Sequence, residues 1–289
     1  MISKIIHQIS FNNKKTNYIN LSEINKDQDI NNKIKMIELN LYSEYHLSWI
    51  HKNKDWKYIL WNDNSIKKLI LMNYSYYYKN YINIKSENIR RLFSKYIILY
   101  HYGGIYLDND FICYQNINKL IELYPDRKLL VSAIPYINNF EKYHIYKKYN
   151  LNTNLILLSD SVILCERNND FIGLIINKLF FNIRNNQIII KDKEIFGSII
   201  LSKLYYKECN KEKLYNIIPH YYFIPCFSFD KKCKPIKRSF ANKKEFLNYD
   251  KNITKSIFYI YFNYLRYILK SSLILFIIFF MYFIINNIN

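Results

Sequence analysis

The tightest constraint on this chain lies between Ser86 and Asp110. Ile89, Leu92, Phe93, Tyr96, Ile97 and Tyr100 recur at the spacing of one helix face, and Ser86 stands where a helix start is capped. The pattern stops at Gly103-Gly104, and Ile105-Tyr106-Leu107 opens at once as a strand. The whole chain holds 4 glycines in 289 residues, so two in succession mark a deliberate break. A long helix delivered straight into an apolar strand is the repeating unit of an α/β sheet. The same alternation continues elsewhere. Residues 2–9, 56–61, 129–133 and 161–165 read as strands, and helices are expected over 34–49, 86–102 and 170–182. The expected fold class is therefore α/β with a mostly parallel central sheet.

Composition narrows the class further. Half the residues are hydrophobic and 18% aromatic, which excludes intrinsic disorder. Five cysteines without paired C-x-x-C spacing argue against zinc ribbons and a dense disulfide framework. Cys113 reads as a buried small hydrophobe, and Trp49 and Trp61 as core aromatics. The net charge of +19 arises from 42 Lys and Arg against 23 acids, but it spreads along the chain with abundant Asn, Ile and Tyr and forms no stripe. It reads as a solvated basic surface, with no nucleic-acid partner expected. A face that docks nucleic acid or anionic lipid is the alternative.

The carboxyl end of the chain has a different character. From Ser271 to Asn289 no residue is charged, and residues 273–285 are almost continuously Leu, Ile and Phe. Extended back to Tyr264, with Arg266 and Lys270 reaching for the interface, the stretch is long enough to cross a ~30 Å hydrocarbon core. The expected organisation is a folded domain over 1–230, a basic connector over 231–263, and a C-terminal transmembrane helix over 264–286. A buried terminal helix is the alternative reading. Lys251, Lys255, Arg266 and Lys270 precede the apolar run and no charge follows it, which puts the domain on the cytoplasmic side by the positive-inside rule.

The chemistry concentrates in Leu107-Asp108-Asn109-Asp110. Two carboxylates one residue apart leave the end of a strand, where α/β sheets bind their ligands. In extended backbone Asp108 and Asp110 point to one side and share a hard divalent cation, Mn²⁺ or Mg²⁺. Such an ion neutralises a departing diphosphate. A pair of ordinary turn residues is the alternative.

This stretch resembles the DXD signature of glycosyltransferase family 32, which includes fungal Golgi and inositol-phosphorylceramide mannosyltransferases. Ser3-Lys4-Ile5-Ile6-His7-Gln8-Ile9 is similar to the family's opening IPKIIHQIW, and Ser48-Trp49 with residues 56–63 to its SW…NPxYxxxLWDD segment. Ser161-Val162-Ile163 and residues 219–225 resemble weaker downstream landmarks. The resemblance implies a GT-A-like nucleotide-sugar-binding fold and a metal-dependent, retaining transfer of a hexose from a UDP- or GDP-hexose to a glycan, lipid or protein acceptor. Carried over by position, Asp108 and Asp110 would hold the metal and the donor diphosphate, and Tyr106 would line the donor pocket. His7 and Gln8 would lie against the base, and Asp160 would contact the donor. His7 also has a purely structural reading, in the packing of the first strand.

The chain departs from the family at the helix before the glycines. The Asp-x-x-Arg of that helix falls on Leu92 and Lys95, with Arg91 sharing the face of Lys95. Lys95 keeps the charge but not the planar fork, and reads equally as a catalytic contact to the donor, with Arg91 beside it as a substrate contact, and as a solvated surface lysine. Ser10 stands in place of the opening Trp. The two main readings are thus a membrane-anchored hexosyltransferase and a degenerate relative that binds nucleotide sugar without turnover, in a Golgi or ER lumen if not the cytosol.

Overall fold

Residues 5–9 alternate no polar face with an apolar one; four of the five are buried, which is what a strand with neighbours on both edges and layers on both faces requires. In the computed structural model of the chain, which describes residues 1–11, 18–19, 44–134, 139–152, 154–185, 196–209, 215–225 and 237–243, this segment is the inner strand β1 (Ile5–Ile9). Its neighbours in sequence order are β2 (Tyr18–Ile19), β3 (Lys57–Trp61), β4 (Gly104–Leu107), β6 (Leu129–Ala133), β7 (Leu158–Cys165) and β8 (Tyr215–Ile218). They form one seven-stranded sheet in the order β2-β3-β1-β4-β7-β6-β8, while β5 (Phe111–Cys113) and β9 (Ala241–Lys243) make a separate two-stranded ladder.

The sheet is mixed. Strands β3, β1, β4, β6 and β8 run one way, and β2 and β7 run against them. The α/β class and the dominant strand direction agree with the sequence reading. The reversal of β7 brings its first residues, Ser159 to Ser161, beside the carboxyl end of β4, since Leu107 pairs with Val162.

The helices are α1 (Glu44–Lys52), α2 (Asp63–Asn73), α3 (Ser75–Ile82), α4 (Glu87–Tyr102), α5 (Asn118–Leu123), α6 (Asn139–Lys148), α7 (Asp170–Arg184) and α8 (Phe196–Leu204). The expected helix over 34–49 is described only from Glu44, the rest lying outside the described residues. Asn62 both ends β3 and caps α2, accepting from the Ser65 amide while the Ser65 hydroxyl accepts from its own. Ser86 occupies the N-cap of α4 but makes no side-chain cap bond. The stripe on α4 is buried as expected at Ile89, Leu92, Phe93, Tyr96 and Ile97, and packs on the sheet and on α7.

The glycine pair carries out the break that the pattern demanded. Gly103 has φ +65° and Gly104 φ +95°, both in the left-handed half of conformational space. A β-carbon on Gly104 would stand 2.3 Å from the Ile5 carbonyl oxygen, so the absence of a side chain is what lets β4 lie against β1.

Strand β9 lies beyond the expected domain boundary at residue 230. The chain divides into units 1–245 and 246–289, and β9 pairs antiparallel with β5, Lys243 opposite Phe111. Ser239, Phe240 and Ala241 are buried. A two-residue apolar island, Phe240-Ala241, inside a basic run is enough to return the chain to the domain. The expected membrane segment 264–286 lies outside the described residues. Among those described, no helix is long and apolar enough to cross a membrane. Trp49 and Trp61 are buried, as is Cys113, whose thiol burial pushes up to about 12 and so keeps inert at neutral pH.

Candidate active site

Strand β4 ends at Leu107, and Asp108-Asn109-Asp110 turns the chain back into β5 rather than continuing extended. The turn is pinned from three strands. From β1, the Gln8 side-chain amide donates to the Asp108 carbonyl at 2.9 Å, and Gln8 is itself oriented by the Tyr58 hydroxyl of β3 at 2.6 Å. Asn109 returns the contact, donating to the Ile9 carbonyl. From β7, the Ser161 carbonyl accepts from the Asp108 amide at 3.1 Å. Tyr106, fully buried, donates its hydroxyl to Asp108 Oδ1 at 3.2 Å. Both aspartates turn toward one point although the backbone between them is a turn and not extended.

That point is held by an ammonium. Lys243 Nζ lies 3.3 Å from Asp108 Oδ2, 3.7 Å from Asp110 Oδ2 and 3.0 Å from Ser161 Oγ, to which it donates. It also stands 5.5 Å from the centroid of the Phe111 ring. Burial alone would lower the Lys243 pKa, but the charges of Asp108 and Asp110 outweigh it and raise the value. Burial likewise works to raise the Asp108 carboxyl, and the Lys243 and Lys95 ammoniums together hold it below the ordinary range.

A second buried pair stands beside the first. Lys95 on α4, 5% exposed, donates to both the backbone carbonyl (2.7 Å) and the carboxylate of Asp160. Ser198, in the first turn of α8, donates to the other oxygen of that carboxylate at 2.8 Å. Lys95 is therefore no solvated surface lysine: two candidate residues, Lys95 and Asp160, are spent chiefly on each other. The α8 turn closes tightly here. A β-carbon on Gly197 would fall 2.1 Å from Asp160 Oδ2 and 2.7 Å from Leu92 Cδ1. Arg91 pairs with Glu87 at 2.8 Å and reaches the Ile9 carbonyl at 3.3 Å, stacked 5.5 Å from the Phe11 ring.

His7 does not share this rim. As the strand alternates, it points to the opposite face from Gln8 and is fully buried, bonded to the Gly103 carbonyl (2.9 Å) and to the Trp61 indole (3.1 Å). Burial lowers its pKa to about 4, so it is neutral at physiological pH. Its place is in the packing of the first strand, the structural alternative.

The side chains as they stand do not fit the expected Mn²⁺ or Mg²⁺. Two carboxylates converge, but the ammonium of Lys243 occupies the space between them. Among the described residues no group of three or more His, Cys, Asp or Glu is placed to hold an ion. Lys243, Ser161 and Ser198 were not evident as site residues in the sequence. Ser161 appears there only within a weak family landmark, Ser198 has no signature, and Lys243 is one of a Lys-Lys pair in a run read as connector.

Residues 40–126 match the family profile described as the glycosyltransferase sugar-binding region containing a DXD motif. Over 78 residues, 27% of its length, the chain is 36% identical to inositol phosphoceramide mannosyltransferase 3 of Schizosaccharomyces pombe. Over 67 residues, 23% of its length, it is 36% identical to mannosyl phosphorylinositol ceramide synthase SUR1 of Saccharomyces cerevisiae. These matches span 22% and 18% of the two relatives, about a fifth of their length. Among solved structures, the PaToxG glycosyltransferase aligns with 72% of this chain and 70% of its own at 17% identity and TM-score 0.39. The galactosyltransferase LgtC aligns with 68% and 70% at 12% identity and TM-score 0.31.

Proposed function

We propose that this chain, which carries the DXD sugar-binding region, is a glycosyltransferase moving a hexose from a UDP- or GDP-hexose to a glycan, lipid or protein acceptor. The observation that carries this reading is the Asp108-Asn109-Asp110 turn. It lies inside the matched region, at the carboxyl end of a sheet strand, and two other strands, β1 and β7, hydrogen-bond to it. The names of the yeast relatives favour mannose as the hexose and an inositol-phosphate lipid headgroup as acceptor. A lipid acceptor also suits the apolar segment 264–286, which in this reading anchors the enzyme to a membrane with its domain in the cytoplasm. Retention of anomeric configuration follows from the same family resemblance.

In the reaction the acceptor oxygen bonds to the anomeric carbon. The bond from that carbon to the diphosphate breaks with its electron pair on the phosphate oxygen, and the hydroxyl proton passes to solvent. Charge develops on the diphosphate, so fixed positive charge beside the acidic turn is what lowers the barrier. Tyr106 and Gln8 hold Asp108 in place from below, and the Lys95–Asp160 pair with Ser198 forms the rigid wall on the α4 side. Rigid support of this kind keeps the reacting groups aligned.

The test is nucleotide release by the full chain from UDP-glucose, UDP-galactose, UDP-N-acetylglucosamine and GDP-mannose, with the Asp108→Asn, Asp110→Asn double variant alongside. Release from one donor that falls roughly a hundred-fold or more in the variant is expected. Release that is indifferent to both aspartates overturns the assignment. One observation favours a second reading, a binder without turnover: Leu92, in the family's Asp position, is buried beside the Gly197 turn, so that position offers the sugar no carboxylate. Donor binding without release from any of the four sugars would establish it.

A further inference from the structure

We infer that the Lys243 ammonium fills the cation position of the acidic turn, keeping divalent ions out and presenting its own positive charge to a nucleoside diphosphate. The first half of this stands on geometry alone; the second rests on the transferase reading.

The position is built rather than incidental. Lys243 is the last described residue of β9, and pairing of that strand with β5 sets it opposite Phe111, the residue that follows Asp110. Register therefore delivers the ammonium to the acidic turn, and the Phe111 ring flanks it. Its oxygens are those a metal would need: Asp108 Oδ2, Asp110 Oδ2 and the Ser161 hydroxyl all lie within 3.7 Å of Nζ. A Mn²⁺ or Mg²⁺ ion bonds oxygens at roughly 2.0–2.3 Å, so ion and ammonium compete for the same lone pairs. No third acidic, His or Cys ligand among the described residues compensates an ion for displacing the lysine.

The charge balance points the same way. Lys95 is matched by Asp160 and Arg91 by Glu87, so Lys243 is the cation on this rim whose partners are the acidic turn itself. An ammonium has three N–H donors. Ser161 and Asp108 lie at hydrogen-bond distance from Nζ while Asp110, at 3.7 Å, lies beyond it, so in this proposal the third donor turns to a phosphate oxygen. A lysine on a flexible stem is a compact point charge suited to that contact. No proton or electron moves at Lys243; it acts by position.

Two measurements test this with the full chain, Lys243→Gln and Lys243→Ala. In the first, Mn²⁺ alone is titrated and free ion read by electron paramagnetic resonance. The wild type is expected to take up no stoichiometric Mn²⁺, while Lys243→Ala gains one site that disappears when Asp108→Asn is added. Thermal melts run beside it should show Mn²⁺ stabilising Lys243→Ala but not the wild type, which also reports that the variant is folded. Lys243→Gln, which keeps part of the stem and a polar end, guards against misfolding of the shorter variant. Stoichiometric Mn²⁺ binding by the wild type, or none in either lysine variant, overturns the cation assignment.

In the second, UDP and GDP binding is measured by calorimetry in EDTA. Wild-type affinity for one of them should be unchanged by EDTA, should fall roughly ten- to hundred-fold in Lys243→Gln, and should recover in part with Mn²⁺ in Lys243→Ala. Affinity that EDTA abolishes in the wild type overturns the phosphate role. If neither nucleotide binds under any condition, the transferase reading fails, and the Mn²⁺ titration still decides the cation site.

Discussion

His7 shows how much a single buried polar residue commits the chain. An indole N–H can only donate and a carbonyl can only accept, so Trp61 fixes Nδ1 as the acceptor and Gly103 fixes Nε2 as the donor. One neutral tautomer satisfies both, and a second proton would set Nδ1–H against the indole. The folded value near 4 lies below the unfolded value near 6.5, so the unfolded chain binds more protons between the two. Stability is therefore full above about pH 6.5 and falls as the pH drops toward 4. The His7 contribution to that loss is about 3 kcal/mol, with His46, also lowered to about 4, adding to the same window. Urea midpoints at about pH 7.5 and about pH 4.5 check this, and in His7→Gln the drop between them should shrink. Gly104 makes a different kind of commitment. With φ +95° and the Ile5 carbonyl 2.3 Å from where a β-carbon would sit, Gly104→Ala should cost at least about 3 kcal/mol in equilibrium unfolding. Its position was legible as a break in pattern; the reason, contact with a strand about a hundred residues earlier, was not.

Among the elements, length decided what sequence could reveal. Helix α4 carries its stripe over 16 residues and was readable almost to its ends, and β6 was readable residue for residue as an apolar run between turn-forming segments. Strands β5 and β9 are three residues each, too short for any period to show, and β9 is masked further by the basic residues around it. The direction of β7 was also hidden, because apolar patterning is the same read either way. Yet β7 and β9 supply Ser161 and Lys243, so the parts of the site least visible in sequence are those on the least visible elements. Phe240 is the anchor of β9, buried against the Tyr222 and Phe223 rings with centroids 5.5 and 6.2 Å away. Phe240→Ala should cost about 3 kcal/mol or more in chemical denaturation. If β9 is what presents Lys243, the same variant should take up Mn²⁺ as the lysine variants do.

For the molecule as a whole, class was legible and closure was not. Alternating strands and helices marked an α/β domain, and the acidic turn after β4 marked the candidate site, because both follow from local pattern. The end of the domain did not, because Phe240-Ala241 gain their meaning from partners at residues 111–113 and 222–223. The contact that completes the acidic turn spans 135 positions, from Asp108 to Lys243. During synthesis Asp108 and Asp110 leave the ribosome long before the lysine that neutralises them. For the time needed to translate more than a hundred codons, the nascent chain carries both carboxylates without that ammonium. Only when β9 pairs with β5 does the ammonium reach the acidic turn.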